Sequence, residues 1–492
     1  MDGRKQHCWE CRRRCLVCDS TQPACNRCSA SGTLCPGYGP VKPARIRWVE
    51  PGKVSSRGRR GAKAASGHHT ERSKTEAAAG ELIQTSHAMT LGPELKTGAE
   101  HLAQAAHYFN DCIYKDLVPI TQLGKNPHVY SITPALLQQA VKSPSYLQFG
   151  MVCMTLNHRM NQMRHSQSKA LSERFYHYRG MAIQSLSESI GVERHNTEDV
   201  VLAGVLTLLL VDASAPHVQH GASLGWRWHL DGIHKIINLR GGFPTMVRSK
   251  ALQPLVAVFG NTTCPASDLA MTEFHLESVP MVLEQYSAAT SPFHLCPPLL
   301  FAEIMRVNHL RHLSMNHEGI AGLSQQANDI LQRIQNFSPE QWAETKHSTK
   351  DVWALVGNAY RLAAGLYCML SMQSSSVFPR TTLLRDLSTS TGRDLRRVLT
   401  GALSRREINR FMLWPLVTLG VQAKSDATMR GYVSRELTSL SSRIGTCSPL
   451  TAKNILERFW ASGEDCWDAC FDRSYVFTMQ IAVDTSQIIA SL

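Results

Sequence analysis

Residues 8–35 read Cys8-Trp-Glu-Cys11-Arg-Arg-Arg-Cys15-Leu-Val-Cys18-Asp-Ser-Thr-Gln-Pro23-Ala-Cys25-Asn-Arg-Cys28-Ser-Ala-Ser-Gly-Thr-Leu-Cys35, and they hold seven of the chain's fifteen cysteines. With Cys15 set aside, Cys8-x2-Cys11-x6-Cys18 is repeated by Cys25-x2-Cys28-x6-Cys35 at an offset of seventeen residues. A structural zinc takes four ligands in a tetrahedron, and each half supplies only three thiolates. Six sulfurs fill the eight positions of two ions only when two of them bridge, most simply one from each half. The arithmetic favours two Zn2+ per chain. Their six thiolates leave a formal charge of −2, which Arg12, Arg13, Arg14 and Arg27 are close enough in sequence to offset. So short a segment has almost no core, so zinc must supply the folding energy, on the order of 10–16 kcal/mol per ion.

Three other readings compete. A disulfide framework needs a secreted context, and Met1 to His7 carries no apolar signal run. An iron–sulfur site built on Cys8, Cys11, Cys15 and Cys18 does not match the bacterial spacing and leaves the repeat unexplained. A single-zinc ribbon leaves two or three thiols idle.

Cys8 to Asp19, Pro23, Cys25-Asn-Arg-Cys28 and Cys35-Pro-Gly-Tyr38 together resemble the fungal zinc binuclear cluster, the DNA-binding module of a large class of fungal transcription factors. The resemblance implies Cys8 and Cys25 as bridging thiolates, Cys11 and Cys18 completing one zinc, and Cys28 and Cys35 the other. It also implies a short helix after Cys11 that enters the major groove at CGG-like triplets, with Pro23 in the loop joining the halves. The chain departs from the family where Cys15 and Val17 replace usual basic residues. Arginine pairs bidentately with guanine O6 and N7, and a neutral thiol does not. Arg12, Arg13 and Arg14 remain as DNA-contacting candidates, while Cys15 reads as a spare thiol beside the cluster.

The formal charge of the 492 residues is +13, and it is unevenly spread. Residues 1–74 contain sixteen Lys and Arg against five Asp and Glu, a net +11, which leaves +2 for the other 418. That asymmetry is the footprint of a polyanion-binding arm. Arg45, Arg47 and the block Arg57-Gly-Arg59-Arg60-Gly-Ala-Lys63 extend it, placed to lie along phosphates or to serve as a nuclear import signal. The eight remaining cysteines are scattered in apolar pattern and read as buried reduced thiols. No apolar run reaches the about 20 residues of a membrane span; Val200 to Val211 reads as a core helix.

The domain reading is a zinc binuclear cluster at 1–40, a basic disordered linker at 41–98 and an all-helical body at 99–492, so the fold class is all-α. Glu76 to Gly98 offers no heptad seam, which predicts a monomer or a dimer held by the C-terminal body. In the body, His101, Leu102, Ala105, Ala106, Phe109, Ile113 and Leu117 recur on one helical face. Thr133-Pro134 predicts a capped helix start, and Arg174 to Ile190 an amphipathic helix. Trp226 to Gly242 predicts a helix with Ile233, Ile236, Ile237 and Leu239 towards the core and glycines at its end. Trp414-Pro415 predicts a kink or break. Phe459 to Asp472 interleaves acids with aromatics; a folded amphipathic helix with buried aromatics is favoured over an activation segment. Tyr176-x-Tyr-Arg-Gly-Met-Ala-Ile, the Trp226 helix, Cys296-Pro-Pro-Leu and Trp414-Pro-Leu resemble the fungal-specific transcription factor regulatory domain.

Enzyme readings fail on inventory. Walker-type loops and His-Glu-x-x-His pairs are missing from the sequence, His229 and His234 are five apart rather than four, and His309 and His312 read as surface or satisfied groups. Gly221-Ala-Ser223-Leu-Gly225 matches a nucleophile elbow by letter but lacks the preceding strand. The reading is a nuclear, zinc-dependent, sequence-specific DNA-binding regulator of RNA polymerase II transcription in a fungus, controlling a metabolic or biosynthetic gene set. Its partners would be double-stranded DNA, the transcription machinery and a small-molecule effector in the helical body. The alternative is a zinc-stapled protein-interaction module whose DNA reading is lost through Cys15 and Val17.

Overall fold

The computed structural model describes residues 8, 10–11, 18–31, 35–38, 98–126, 128–163, 169–191, 198–215, 225–242, 276, 279–280, 295–315, 320–471, 475, 484–486 and 489. The chain divides into two units, Met1–Thr90 and Leu91–Leu492. In the first, a short helix α1 (Asn26–Ala30) starts directly after Cys25. The expected helix after Cys11, with Arg12, Arg13, Arg14 and Cys15, lies outside the described residues, as do residues 41–97, with Arg45 and Arg47, and the Ser223 loop.

Among its described residues the second unit is all-helical. Helix α2 (Gly98–Tyr108) buries Leu102, Ala105 and Ala106, and the path continues through a π-helical turn at Phe109–Tyr114 and a 3-10 turn at Val118–Leu123. Ile113 and Leu117 stay inward across both changes of pitch. The Thr133 hydroxyl accepts from the N–H of Leu136 at 3.3 Å and starts α3 (Pro134–Lys142), the cap that the Thr-Pro pair predicts. Helices α4 (Ser145–Gln162), α5 (Lys169–Ile190) and α7 (Gly225–Leu239) pack around α6 (Asp199–Ser214). That position explains why α6 has no polar face. Leu206, Leu209 and Leu210 are fully buried, each contributing about 1.5–3 kcal/mol over exposure. Its polar interruptions are satisfied locally: Thr207 donates to the carbonyl of Ala203 at 2.8 Å, and Asp212 is ion-paired.

At the end of α7 the N–H of Gly242 bonds the carbonyl of Ile237 at 3.0 Å and that of Gly241 the carbonyl of Asn238 at 3.1 Å. Both glycines have positive φ, 86° and 90°, so the glycine cap read from sequence is a Schellman motif. Leu239, expected in the core, is instead 69% exposed. It lies two positions beyond Ile237, about 200° around the helix, on the face opposite Ile233 and Ile237. The helix expected from Arg174 begins five residues earlier, at Lys169.

The remaining helices are α8 (Pro298–Met315), α9 (Ile320–Asn336), α10 (Pro339–Glu344), α11 (Lys350–Ser374), α12 (Thr382–Ser404), α13 (Leu413–Gln422), α14 (Ala427–Ile444), α15 (Ser448–Ala461) and the short α16 (Trp467–Cys470). Helix α11 is their hub and touches α8, α9, α10, α12, α13 and α16. An aromatic column runs along it: Tyr360 stacks on Trp414 at 6.2 Å, Tyr367 meets Trp414 edge-on at 5.9 Å, and Tyr367 meets Trp467 at 4.8 Å. The break expected at Trp414-Pro415 is a 3-10 turn at Asn409–Met412 that passes into α13, with Pro415 in the first α-helical turn.

The stretch from Phe459 to Phe471 is folded, with Phe459, Trp467 and Phe471 buried. It is not one helix. Ser462 ends α15, and the ammonium of Lys424 takes the carbonyls of Phe459 and Ser462 at 2.5 and 2.6 Å. Asp468 is committed to the fold, accepting from the Arg311 guanidinium and, at 2.6 Å, from the Ser374 hydroxyl. Where α4 and α6 end against the α14–α15 turn, Asn161 donates to the carbonyls of Ser214 and Gly445 at 3.2 and 3.1 Å. One contiguous apolar core runs through both halves of the unit.

Candidate metal centre

The sulfurs of Cys8, Cys11, Cys18 and Cys25 lie within 4.8 Å of one another, and so do those of Cys8, Cys25, Cys28 and Cys35. The two quartets share Cys8 and Cys25 and nothing else. Cys8 and Cys25 Sγ are 3.6 Å apart, Cys8 and Cys28 3.7 Å, Cys11 and Cys25 3.7 Å, and Cys11 and Cys28 4.0 Å. A zinc–sulfur bond of about 2.3 Å puts tetrahedral sulfurs about 3.8 Å apart, so the spacing fits zinc. A disulfide, with sulfurs about 2.05 Å apart, does not fit the spacing of the cluster.

The repeat in sequence is also a repeat in hydrogen bonding. The N–H of Cys8 donates to Cys18 Sγ at 3.4 Å, and the N–H of Cys25 to Cys35 Sγ at 3.5 Å. The N–H of Cys11 donates to Cys8 Sγ at 3.4 Å, and the N–H of Cys28 to Cys25 Sγ at 3.3 Å. Each pair is related by the same seventeen-residue offset as the cysteines. The shared sulfurs belong to the most buried residues of the set, with Cys8 and Cys25 fully enclosed.

Burial raises the proton affinity of Cys8 and Cys11 and pushes Cys28 up to about 12. Burial acts on Cys18 as well, but N–H donors at Cys8 and Ser20 outweigh it and bring Cys18 down to about 6. Cys35 is lowered too, since donors at Cys25 and Gly37 outweigh its burial. A cation entering this cluster must therefore displace protons, which makes its affinity rise with pH. The frame around the sulfurs is short-range: Asp19 accepts from the N–H of Asn26 at 3.0 Å at the start of α1, and the Tyr38 hydroxyl donates to the carbonyl of Thr21 at 2.9 Å. Two ions held with two sulfurs shared would fill every coordination position, as structural zinc sites do.

Outside the cluster, the histidines singled out in the sequence do not assemble a metal site. His229 donates from Nε2 to Asp212 at 3.1 Å, and Asp212 also receives the Arg179 guanidinium through two bonds, 2.6 and 2.7 Å. This triad explains the Tyr-Arg pair of the α5 motif, because Tyr178 next to Arg179 bonds His101 at 2.5 Å. A second constellation went unread in the sequence: the Asp484 carboxylate takes His128 Nδ1 at 2.6 Å and the Tyr130 hydroxyl at 2.5 Å. Asp484 lies more than 350 positions from both partners in sequence, so no local spacing announces the constellation.

The family profile described as "Fungal specific transcription factor domain" matches residues 105–478. A protein of Leptosphaeria maculans named "Phomenoic acid biosynthesis cluster-specific transcriptional regulator" is 44% identical over 498 residues, covering 99% of this chain and 91% of that protein. The Neurospora crassa protein named "Acriflavine sensitivity control protein acr-2" is 21% identical over 386 residues, 72% of this chain and 61% of its own length. No solved structure matches the chain. The resemblance carried by the helical motifs is thus borne out over most of the second unit, and the chain belongs to the fungal transcription factors that bear the fungal-specific transcription factor domain.

Proposed function

We propose that this transcription regulator binds DNA sequence-specifically through a two-zinc cluster held by Cys8, Cys11, Cys18, Cys25, Cys28 and Cys35, and acts in the nucleus on RNA polymerase II promoters. The observation that carries the reading is the pair of sulfur quartets with Cys8 and Cys25 in common. In this reading those two thiolates bridge the ions, and zinc holds the residues 1–40 module in its folded shape. Arg12, Arg13 and Arg14 contact the duplex, and Arg45 and Arg47 follow its phosphates in the basic segment 41–98. The charge asymmetry supports this, since the N-terminal 74 residues carry a net +11 of the total +13. The helical body from residue 99 onward is the regulatory part and catalyses nothing. The relative from Leptosphaeria maculans is named for regulating one biosynthetic cluster, which supports control of a biosynthetic gene set here.

Selection of bound oligonucleotides by the full chain tests the reading. An enriched motif whose affinity falls with salt, by a log–log slope of about 0.9 per phosphate contacted, is expected. An unenriched pool would favour a zinc-stapled protein-interaction module instead. The symmetry of the motif also reports whether one chain or two bind.

A further inference from the structure

Between the C-terminal end of α11, one face of α12, and the α13–α14 junction lies a cleft of about 540 Å³, within the range of small-molecule sites. Much of its polar rim is already engaged. Arg380 grips both oxygens of Asp465 at 2.9 and 3.1 Å, Lys424 holds the carbonyls at the end of α15, and Asp426 caps α14 by accepting from the N–H of Met429 at 2.9 Å. Several lining side chains are left over. Arg385, Ser388 and Arg393 on α12 and Gln422 at the end of α13 make no side-chain hydrogen bond or ion pair with any described residue.

Ser388 is the telling member: the residue is 6% exposed, its hydroxyl bonds no described residue, and the hydroxyl is not among the fully enclosed unpaired atoms, so it is open to the cleft it lines. Gly392 makes room beside it: a Cβ there would fall 2.6 Å from Gln422 Oε1, so the missing side chain lets the amide rest against α12. Arg385 and Arg393 are eight residues apart on the same helix, about 12 Å along its axis, and both line the cleft. Leu370, Val421, Met429 and Trp467 give the remaining wall an apolar surface.

We propose that this cleft binds an amphipathic organic anion as the regulatory ligand of the helical body. Its carboxylate or phosphate head lies on Arg385 or Arg393, with Ser388 and Gln422 completing the hydrogen bonds, and its apolar part lies on Leu370, Val421 and Met429. Guanidinium groups match such heads bidentately. The inference rests on the reading of the body as the regulatory part.

Calorimetric titration of the full chain with decanoate, sebacate, decyl phosphate and decylammonium tests it. Saturable binding of at least one anion is expected, with no binding of decylammonium; which head binds separates a carboxylate ligand from a phosphate one. The double variant Arg385→Gln, Arg393→Gln alters exposed side chains, so its melting temperature should match the parent while its affinity falls by at least about tenfold. Ser388→Ala should weaken binding to a smaller extent. Failure of all three anions, equal binding of the ammonium, or unchanged affinity in the double variant overturns the proposal. A negative titration with intact DNA selection removes the cleft alone, whereas a positive titration without DNA selection removes the regulator reading alone.

Discussion

Single residues in this protein are placed by what burial does to their protons. His158 is 3% exposed, with Tyr108 Oη 3.1 Å from its Nδ1, and burial, with the nearby Arg410 charge second, lowers its pKa to about 4. A histidine held neutral in the fold binds its proton more readily in the unfolded chain. Its contribution is therefore complete above the unfolded value near 6.5 and is lost as pH falls towards about 4, at about 1.4 kcal/mol per pH unit. His158→Asn cannot titrate in this window. The stability difference between parent and variant should shrink between pH 6.5 and 5, measured by urea midpoints; a constant difference would mean that His158 is not held neutral. The cysteines make a different residue-scale prediction. If Cys8 and Cys25 bridge, Cys8→Ser removes a ligand from both ions, and Cys35→Ser removes one from a single ion. Elemental analysis of the full chains should then find about one zinc in Cys35→Ser and fewer in Cys8→Ser. Equal losses would count against bridging.

At the scale of helices, legibility followed the range of the interaction. Thr133 caps α3 and Gly241 with Gly242 closes α7, because capping chemistry acts across a few consecutive residues and the sequence displays it whole. The repeat was legible for the same reason: two triplets within twenty-eight residues call for one shared sulfur from each half, while only the family resemblance points to Cys8 and Cys25 as that pair. Leu239 was misread because a terminal helical position can be apolar and still point away from the core. Tertiary polar contacts were not legible at all. Asp212 on α6 looked like the end of an apolar run, yet it receives both Arg179 on α5 and His229 on α7 and so joins three helices. Its side chain is 9% exposed, and the two Arg179 bonds and His229 overcome its burial to hold the carboxyl below its ordinary range. Asp212→Ala leaves the half-buried Arg179 without its partner, and a loss of about 3 kcal/mol is expected by chemical denaturation. A loss under about 0.5 kcal/mol, the level of a surface substitution, would show that Asp212 does not hold α5 and α7 to α6.

At the scale of the whole molecule, the two units are stabilised by different physics. Among its described residues the first has five buried cysteines packed with Cys35 and Tyr38 where a domain would have a core, whereas the second encloses an apolar core running from Ile113 to Tyr475. Hydrophobic burial scales with that area and is indifferent to metal; the described residues of the first unit bury too little of it to oppose chain entropy. On the proposed reading zinc, at about 10–16 kcal/mol per structural ion, would supply the energy that folds so small a segment. Chelation should therefore separate the units. Adding a strong chelator to the full chain is expected to abolish DNA binding and expose the cysteines to thiol reagents, while far-ultraviolet dichroism, dominated by α2 to α16, changes little and the main melting transition stays in place. If chelation instead shifted the main transition, the helical body would depend on metal, and the assignment of zinc to the six N-terminal sulfurs alone would be wrong.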